Sequence, residues 1–303
     1  MTIISSPNLN ESQKVKAGII GTGNIGCDLL VKVMRSEYLE CGIFVGHNPD
    51  SEGIRFAEKR GVKTTFDSIK YFEEFPDCCD IVFDATSAKA HVYNAPILDR
   101  LSKFTIDLTP AHVGFLCVPT INLEHAVSQK NVNLVTCGGQ ATIPIAHALS
   151  GIHPEIEYLE IVATIASRSA GIGTRNNIDE FTQTTKAALK EFTGIKKTKA
   201  IIVLNPAEPP ITMQNTIYAL IKNPNMKKIS HAVHEVEAKV KEYVPGFRVS
   251  LGPVFENGRL TIMVQVLGIG DFLPQYAGNL DIITCAAIKI AETYAIRKHM
   301  DVK

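Results

Sequence analysis

VKAGIIGTGNIGCDLLVKVM, residues 15–34, begins as an apolar run, passes through Gly21, Gly23 and Gly26, and continues as a periodic stretch. VKAGII has the composition of a buried strand, and IGCDLLVKVM spaces its apolar residues as a helix does, so the stretch predicts strand, tight turn and helix. In G-T-G-N-I-G the first glycine permits the turn and the second lets backbone approach a pyrophosphate. The third allows close helix-to-strand packing, and the helix start offers unpaired N–H groups. A bare glycine match is weak; here it falls in the order that dinucleotide binding needs.

The same grammar repeats outward. CGIFVG at 41–46 reads as a second strand, SEGIRFAEKRG at 51–61 as a helix closed by Gly61, DIVFDAT at 80–86 as a buried strand, and AHVYNAPILDRL at 90–101 as a helix. KFTIDLT at 103–109 and NVNLVTC at 131–137 supply two more strands, separated by a helical NLEHAVSQK at 122–130. Alternating strands and helices predict a Rossmann-type, doubly wound parallel sheet over residues 15–138. Beyond it the pattern changes to long strand candidates, EYLEIVATIAS, KAIIVLNP, ITMQNTIYALI, RVSLGPV and RLTIMVQVL, broken by helices at 178–192 and 227–244. That predicts a second, α+β domain over 139–276 with a mixed or antiparallel sheet whose apolar face could pair with a second copy. The final NLDIITCAAIKIAETYAI, apolar on most sides, is expected to pack back on the first domain within 277–303.

The bulk numbers fit this plan. At 303 residues the chain suits two cores, since single cores stop growing near about 250 to 300 residues. A hydrophobic content of 45% with a formal net charge of zero gives no electrostatic reason for nucleic acid or anionic membrane as partner. No run reaches the roughly 20 apolar residues of a membrane span, and residues 1–14 read as a polar lead-in with no signal-peptide pattern. The seven cysteines include no C-x-x-C pair, so neither a structural metal nor a disulfide framework is indicated. A cytoplasmic protein binding small ligands is expected. His231 and His234 share a helix face but lack a third metal ligand.

Cys137 is the candidate nucleophile. It follows the apolar NLVT and precedes GGQATIPIAHAL, read as a glycine turn leading into a helix. That places a thiol at the carboxyl end of the sheet, where ligands bind, and a helix amino terminus there would lower its pKa. Gly138 and Gly139 would leave N–H groups free to face an oxyanion. The second strand ends in VGHNPD, where a Rossmann domain usually has an acidic residue for the ribose; Asn48 stands there, and NAD is expected over NADP.

Several motifs together resemble one family. GTGNIG at 21–26, VTCGGQATIPI at 135–145, SRSAGIGTRNNIDEFTQTT at 167–185, VLNPAEPP at 203–210 and AGNLDIITCAA at 277–287 are similar to those of the acylating acetaldehyde dehydrogenases. These enzymes convert acetaldehyde, NAD and coenzyme A to acetyl-CoA. The resemblance implies that Thr22, Gly23, Asn24 and Ile25 hold the pyrophosphate and that Cys137 is acylated. It also implies that Ser169, Ala170, Gly171, Ile172, Gly173, Thr174, Arg175, Asn176 and Asn177, with Asn279, contact the cofactor. Helix capping is the plainer role for Asn177 and Asn279. Three departures from the family matter. Met213, Gln214, Asn215 and Thr216 replace a usual Met-Arg-Asp-Thr, so Asn215 stands where the family has a carboxylate thought to position or activate the cysteine. Asn48 replaces an acid, and Ile172 replaces a proline. Many relatives work with a 4-hydroxy-2-oxovalerate aldolase, which makes such a partner an expectation here. Two other readings share the two-lobe plan: a phosphorylating semialdehyde or aldehyde dehydrogenase, and a weakly active NAD-binding paralogue serving as a partner subunit.

Overall fold

The computed structural model describes residues 14–301, so all of the amino-terminal lead-in but Lys14 lies outside the described residues. The first sheet is built from β1 (Val15–Ile20), β2 (Leu39–Val45), β3 (Thr64–Thr65), β4 (Ile81–Asp84), β5 (Phe104–Asp107), β6 (Phe115–Leu116) and β7 (Asn131–Asn133). Their order is β3-β2-β1-β4-β5-β7-β6 and every pairing is parallel. All residues of β4 and β5 are buried, as befits strands covered on both faces. The helices that cover them include α1 (Asn24–Arg35), α2 (Glu52–Glu58), α3 (Lys70–Glu74), α4 (Ala88–Arg100) and α5 (Pro119–Ala126). The strand order reverses between β1 and β4, which puts the loop after each of them at the crevice where open α/β sheets bind ligands.

β7 stops at Asn133, short of the strand expected through Cys137, and no glycine turn follows the cysteine. Instead α6 (Cys137–Ile152) starts at Cys137 itself. The chain bends in between because Val135 takes a left-handed φ of 61°, and Thr136 then caps the helix, its Oγ1 accepting from Gly139 N at 3.0 Å. The two glycines serve packing. A Cβ on Gly138 would lie 3.0 Å from Ala163 Cβ and from Phe181, and one on Gly139 would lie 2.8 Å from Val135 Cγ1.

The second sheet comprises β8 (Tyr158–Ala166), β9 (Thr198–Asn205), β10 (Met213–Leu220), β11 (Phe247–Glu256) and β12 (Arg259–Val266), in the order β11-β12-β10-β8-β9. β8 and β9 run parallel and the other pairs antiparallel, so the sheet is mixed. Buried and half-buried residues alternate along β8, β10 and β12. One face lies under α6, α8 (Ile178–Thr193) and α9 (Met226–Lys241); the other is open.

α10 (Gly278–Asp301) returns to pack along α1. Its anchor is ionic: Lys32 Nζ, buried, lies 2.6 Å from Asp28 Oδ2 and 2.8 Å from Asp281 Oδ1, while Thr284 Oγ1 donates to Asp28. Burial disfavours the Lys32 ammonium, but Asp28 and Asp281 outweigh it and raise its pKa. No helix among the described residues is long and apolar enough to cross a membrane.

Candidate active site

Gly21 leaves β1 with φ 112°, a conformation that favours glycine, and donates its N–H to Val45 O. A Cβ on Gly26 would sit 1.9 Å from Gly21 O, so the helix start and the turn touch backbone to backbone. Gly23 is different: nothing lies within 4 Å of its would-be Cβ. It occupies the N-cap of α1 without a side-chain cap, so the first-turn N–H groups face open space. Close packing behind the loop and clearance in front of it are what a bound pyrophosphate needs.

A cavity of about 110 Å³ lies between the two lobes, lined by Ile25, Thr86, Val135, Cys137, Phe181 and Asn279, with Ser87, Thr109, Thr174 and Asn177 also on its wall. Of the residues expected from sequence, the structure gathers here Ile25, Cys137, Thr174, Asn177 and Asn279. Asn177 stands at the N-cap position of α8. Asn279 lies inside the first turn of α10, after Gly278, and does not cap it. It is 1% exposed, and its Oδ1 has no hydrogen-bond partner among the described residues. A buried amide oxygen without a partner carries a desolvation cost that a ligand N–H would remove, so this position fits the carboxamide end of a nicotinamide dinucleotide.

The remaining described residues of the 169–177 segment do not line the cavity. Ser167–Ser169 forms a 3-10 turn and Ile172–Asn176 the short α7. Arg175 ties the segment together, its Nε donating to Ala170 O and its guanidinium to the carbonyl and hydroxyl of Ser167. Ser169 and Ala170 are buried, Gly171 and Asn176 are exposed, and the side chains of Ile172 and Gly173 lie outside the description. Thr22, Gly23 and Asn24 line a separate groove with Ser51 and Arg55. Asn48 does not enter it; its Oδ1 accepts from Asp50 N in a local turn, while Ser51 Oγ lies 2.8 Å from Thr22 Oγ1.

Cys137 is half-buried at the first position of α6. The helix start was expected to lower its pKa. Burial instead pushes the thiol up to about 12, against the N–H groups of Gly138 and of Cys137 itself. Gly139 N–H is committed to the Thr136 cap, which leaves Gly138 N–H and not both for an oxyanion. Asn215 is fully buried on β10, paired across the sheet with Ala163, and neither its Nδ2 nor its Oδ1 has a partner among the described residues. Directly opposed residues of antiparallel strands share a face, and Ala163 is the residue against which Gly138 packs. The Asn215 amide is therefore on the face that carries the start of α6.

Sequence reasoning missed Thr86, Ser87 and Thr109. The usable signal was their place just after β4 and β5, at the carboxyl edge of a parallel sheet. His147 is exposed, its Nδ1 2.6 Å from Phe192 O, and is no base for the thiol. Among the described residues no group of His, Cys, Asp and Glu could hold a metal.

Residues 137–274 match the family model described as prokaryotic acetaldehyde dehydrogenase, dimerisation. The chain is 53% identical over 285 residues to a Pectobacterium atrosepticum protein named acetaldehyde dehydrogenase, covering 93% of this chain and 96% of that one. Proteins of the same name from Spirochaeta aurantia, 50% identical, and Geobacillus stearothermophilus, 51% identical, are matched over 95% and 94% of this chain and 97% of each. Among solved structures, aspartate semialdehyde dehydrogenase II of Vibrio cholerae, in complex with ASA, aligns with a TM-score of 0.63 over 95% of this chain and 100% of that one. At 14% identity it speaks for the fold alone.

Proposed function

The chain belongs to the acetaldehyde dehydrogenase family, and we propose that it oxidises acetaldehyde or another short aldehyde with NAD, forming a thioester on Cys137 that it passes to coenzyme A. The observation that carries this is the convergence of Cys137, Asn279 and Ile25 of the first turn of α1 on one crevice between the lobes. The Cys137 thiolate attacks the aldehyde carbon, forming a C–S bond and a tetrahedral oxyanion beside Gly138 N–H. Asn279 Oδ1 orients the carboxamide, and the glycine loop with the α1 amino terminus holds the pyrophosphate. The nicotinamide supplies the hydride acceptor that turns the adduct into a thioester. Phe181, Val135 and Leu280 keep the wall apolar, which protects the thioester from hydrolysis until the coenzyme A thiol displaces Cys137.

The test is mass spectrometry of protein incubated with acetaldehyde and NAD, first without an acceptor and then with coenzyme A or phosphate. An acetyl adduct on Cys137 that coenzyme A discharges supports the proposal. Discharge by phosphate alone would replace it with a phosphorylating dehydrogenase, and Cys137→Ser retaining turnover would remove it.

A homodimer formed through the open face of the second sheet belongs to the same proposal. Leu251, Met263, Thr216, Val162 and Ile201 pair in one row across that face. A monomeric mass by light scattering would contradict it. The aldolase partner rests on the resemblance, and the two proteins eluting separately on size exclusion would count against it.

A further inference from the structure

Below the cavity wall lies a buried ionic cluster that the proposed chemistry does not use. His91, on α4, is fully buried. Its Nδ1 is 3.0 Å from Asp84 Oδ2 at the end of β4, and its Nε2 is 3.4 Å from Asp107 Oδ2 at the end of β5. Asn94 Nδ2 donates to Asp84; Asn131 Nδ2 lies 3.1 Å from Nε2 while Asn131 Oδ1 is buried with no partner among the described residues, so the amide turned end for end puts that stranded oxygen against an Nε2–H. Among the described residues the charged groups facing the ring are Asp84 and Asp107; Asn94, on the same helix, and Asn131, on β7, are neutral. Carboxylates only accept hydrogen bonds, so a ring with a carboxylate oxygen opposite each nitrogen is matched best by an imidazolium, in which both nitrogens donate.

The cluster reaches the cavity along covalently short paths. Asp84 Oδ1 accepts from Thr86 N and Thr86 Oγ1, and Thr86 is on the cavity wall. Asp107 Oδ1 accepts from Thr109 N at 2.8 Å, and its Oδ2 accepts from Asn133 Nδ2 at 2.7 Å. Asn133 Oδ1 in turn accepts from Val135 N at 2.8 Å. Val135 is the β-branched residue with a φ of 61°, a conformation such residues avoid. It stands two residues before Cys137, so the hydrogen bond its N–H donates to Asn133 secures the disfavoured bend from which the nucleophile projects.

We propose that His91, clamped as an imidazolium between Asp84 and Asp107, is a positioning residue for Cys137, acting through Asn133 and the Val135 bend. The inference rests on the reading of Cys137 as the nucleophile. Burial pushes Asp107 towards its protonated form, and the His91 charge opposes this. Burial likewise works against the imidazolium, and the Asp84 hydrogen bond with the two carboxylate charges overcomes it, raising the His91 pKa. Without His91, Asp107 takes up a proton, Asn133 Nδ2 is left with the Thr109 carbonyl as its one dependable acceptor, and the anchor of the Val135 N–H loosens.

Two measurements test this, and neither needs aldehyde, NAD or coenzyme A. In the wild-type protein labelled with ¹⁵N-histidine, the His91 resonances, assigned by their loss in His91→Gln, are expected to show both ring nitrogens protonated at about pH 7.5. Separately, iodoacetamide labelling is followed site by site in wild type, His91→Gln and Asp107→Asn, with Cys78, before the amino end of β4, as the internal control for an intact fold. A misplacement near 1 Å predicts roughly 10- to 100-fold slower labelling of Cys137 in both variants, with Cys78 unchanged. Wild-type labelling rates at Cys137 in both variants, or a neutral His91 ring at that pH, would overturn the proposal. If the variants fail to fold, the ring's protonation state in the wild type decides. Failure of acyl-enzyme formation, with His91-dependent labelling intact, would count against the proposed reaction and leave this inference standing.

Discussion

Replacing Asn215 by aspartate is expected to speed acylation of Cys137 by about 10² at pH 8, the lower end of what a positioned general base contributes. With the thiol pushed up to about 12, only about one molecule in 10⁴ carries the thiolate at pH 8, a deficit of roughly 5 kcal/mol. Asn215 lies across the sheet from Ala163, on the face that packs against the start of α6, and its amide is buried with no partner among the described residues. An amide cannot remove the thiol proton; a carboxylate on the same stem can. Burial will raise the pKa of the new carboxyl, which is why the lower end of the range applies. The assay is rapid-quench mass spectrometry of the acetyl adduct without coenzyme A, between pH 6 and 10. Wild type should gain close to tenfold per pH unit, and Asn215→Asp should flatten at the acid end. A folded Asn215→Asp protein that acylates no faster than wild type, with the same pH slope, would refute both the placement of Asn215 and the idea that deprotonation limits the step.

Three other outcomes follow from particular contacts. Gly23→Ala should leave thermal stability within about 0.5 kcal/mol, because its Cβ meets nothing within 4 Å, yet weaken NAD binding measured by calorimetry; Gly26→Ala, with Gly21 O only 1.9 Å away, should lose both. Lys32→Met strands Asp28 and Asp281 without their cation and should cost about 3–5 kcal/mol in denaturant unfolding; a cost below that of an ordinary surface substitution would mean the pair is solvated. Burial raises Asp107 from 3.8 to about 7, so the folded state holds a proton that the unfolded chain has released. Its contribution to stability is therefore full below pH 3.8 and lost as pH climbs to about 7, and the raised His91 continues the decline above 6.5. The melting temperature should fall from pH 6 to pH 8, less steeply in Asp107→Asn, and a rise over that interval would contradict the assignment.

Sequence periodicity located β1, α1, β4, α4 and the long strands and helices of the second sheet to within three residues, because each writes its buried face into consecutive side chains. It passed over β3 and β6, two residues each, which are too short to show a period. It also extended β7 through Cys137, since NLVT is apolar whether or not it pairs. In the glycine loop the turn at Gly21 and the close packing at Gly26 were legible, because steric demands within six consecutive residues do not depend on the rest of the fold. Cys137 was legible as a thiol at a helix start, and the N–H groups there do pull its pKa down; the burial that outweighs them depends on what the fold packs around it and is not written in neighbouring residues. The same distinction separates Asn279, recognisable as a site residue only by resemblance, from the unpartnered buried oxygen it proves to carry. Asp84, His91, Asp107 and Asn133 went unnoticed because they are ordinary polar residues along the chain. The order of strands β4, β5 and β7, with α4 packed on them, brings these residues into one buried cluster. Sequence by itself determined the elements and the glycine turn, since these follow from near-neighbour sterics and periodic burial. Tertiary structure decided which polar groups are stranded, paired or charged, because desolvation and Coulomb energy depend on what the fold brings within a few ångströms.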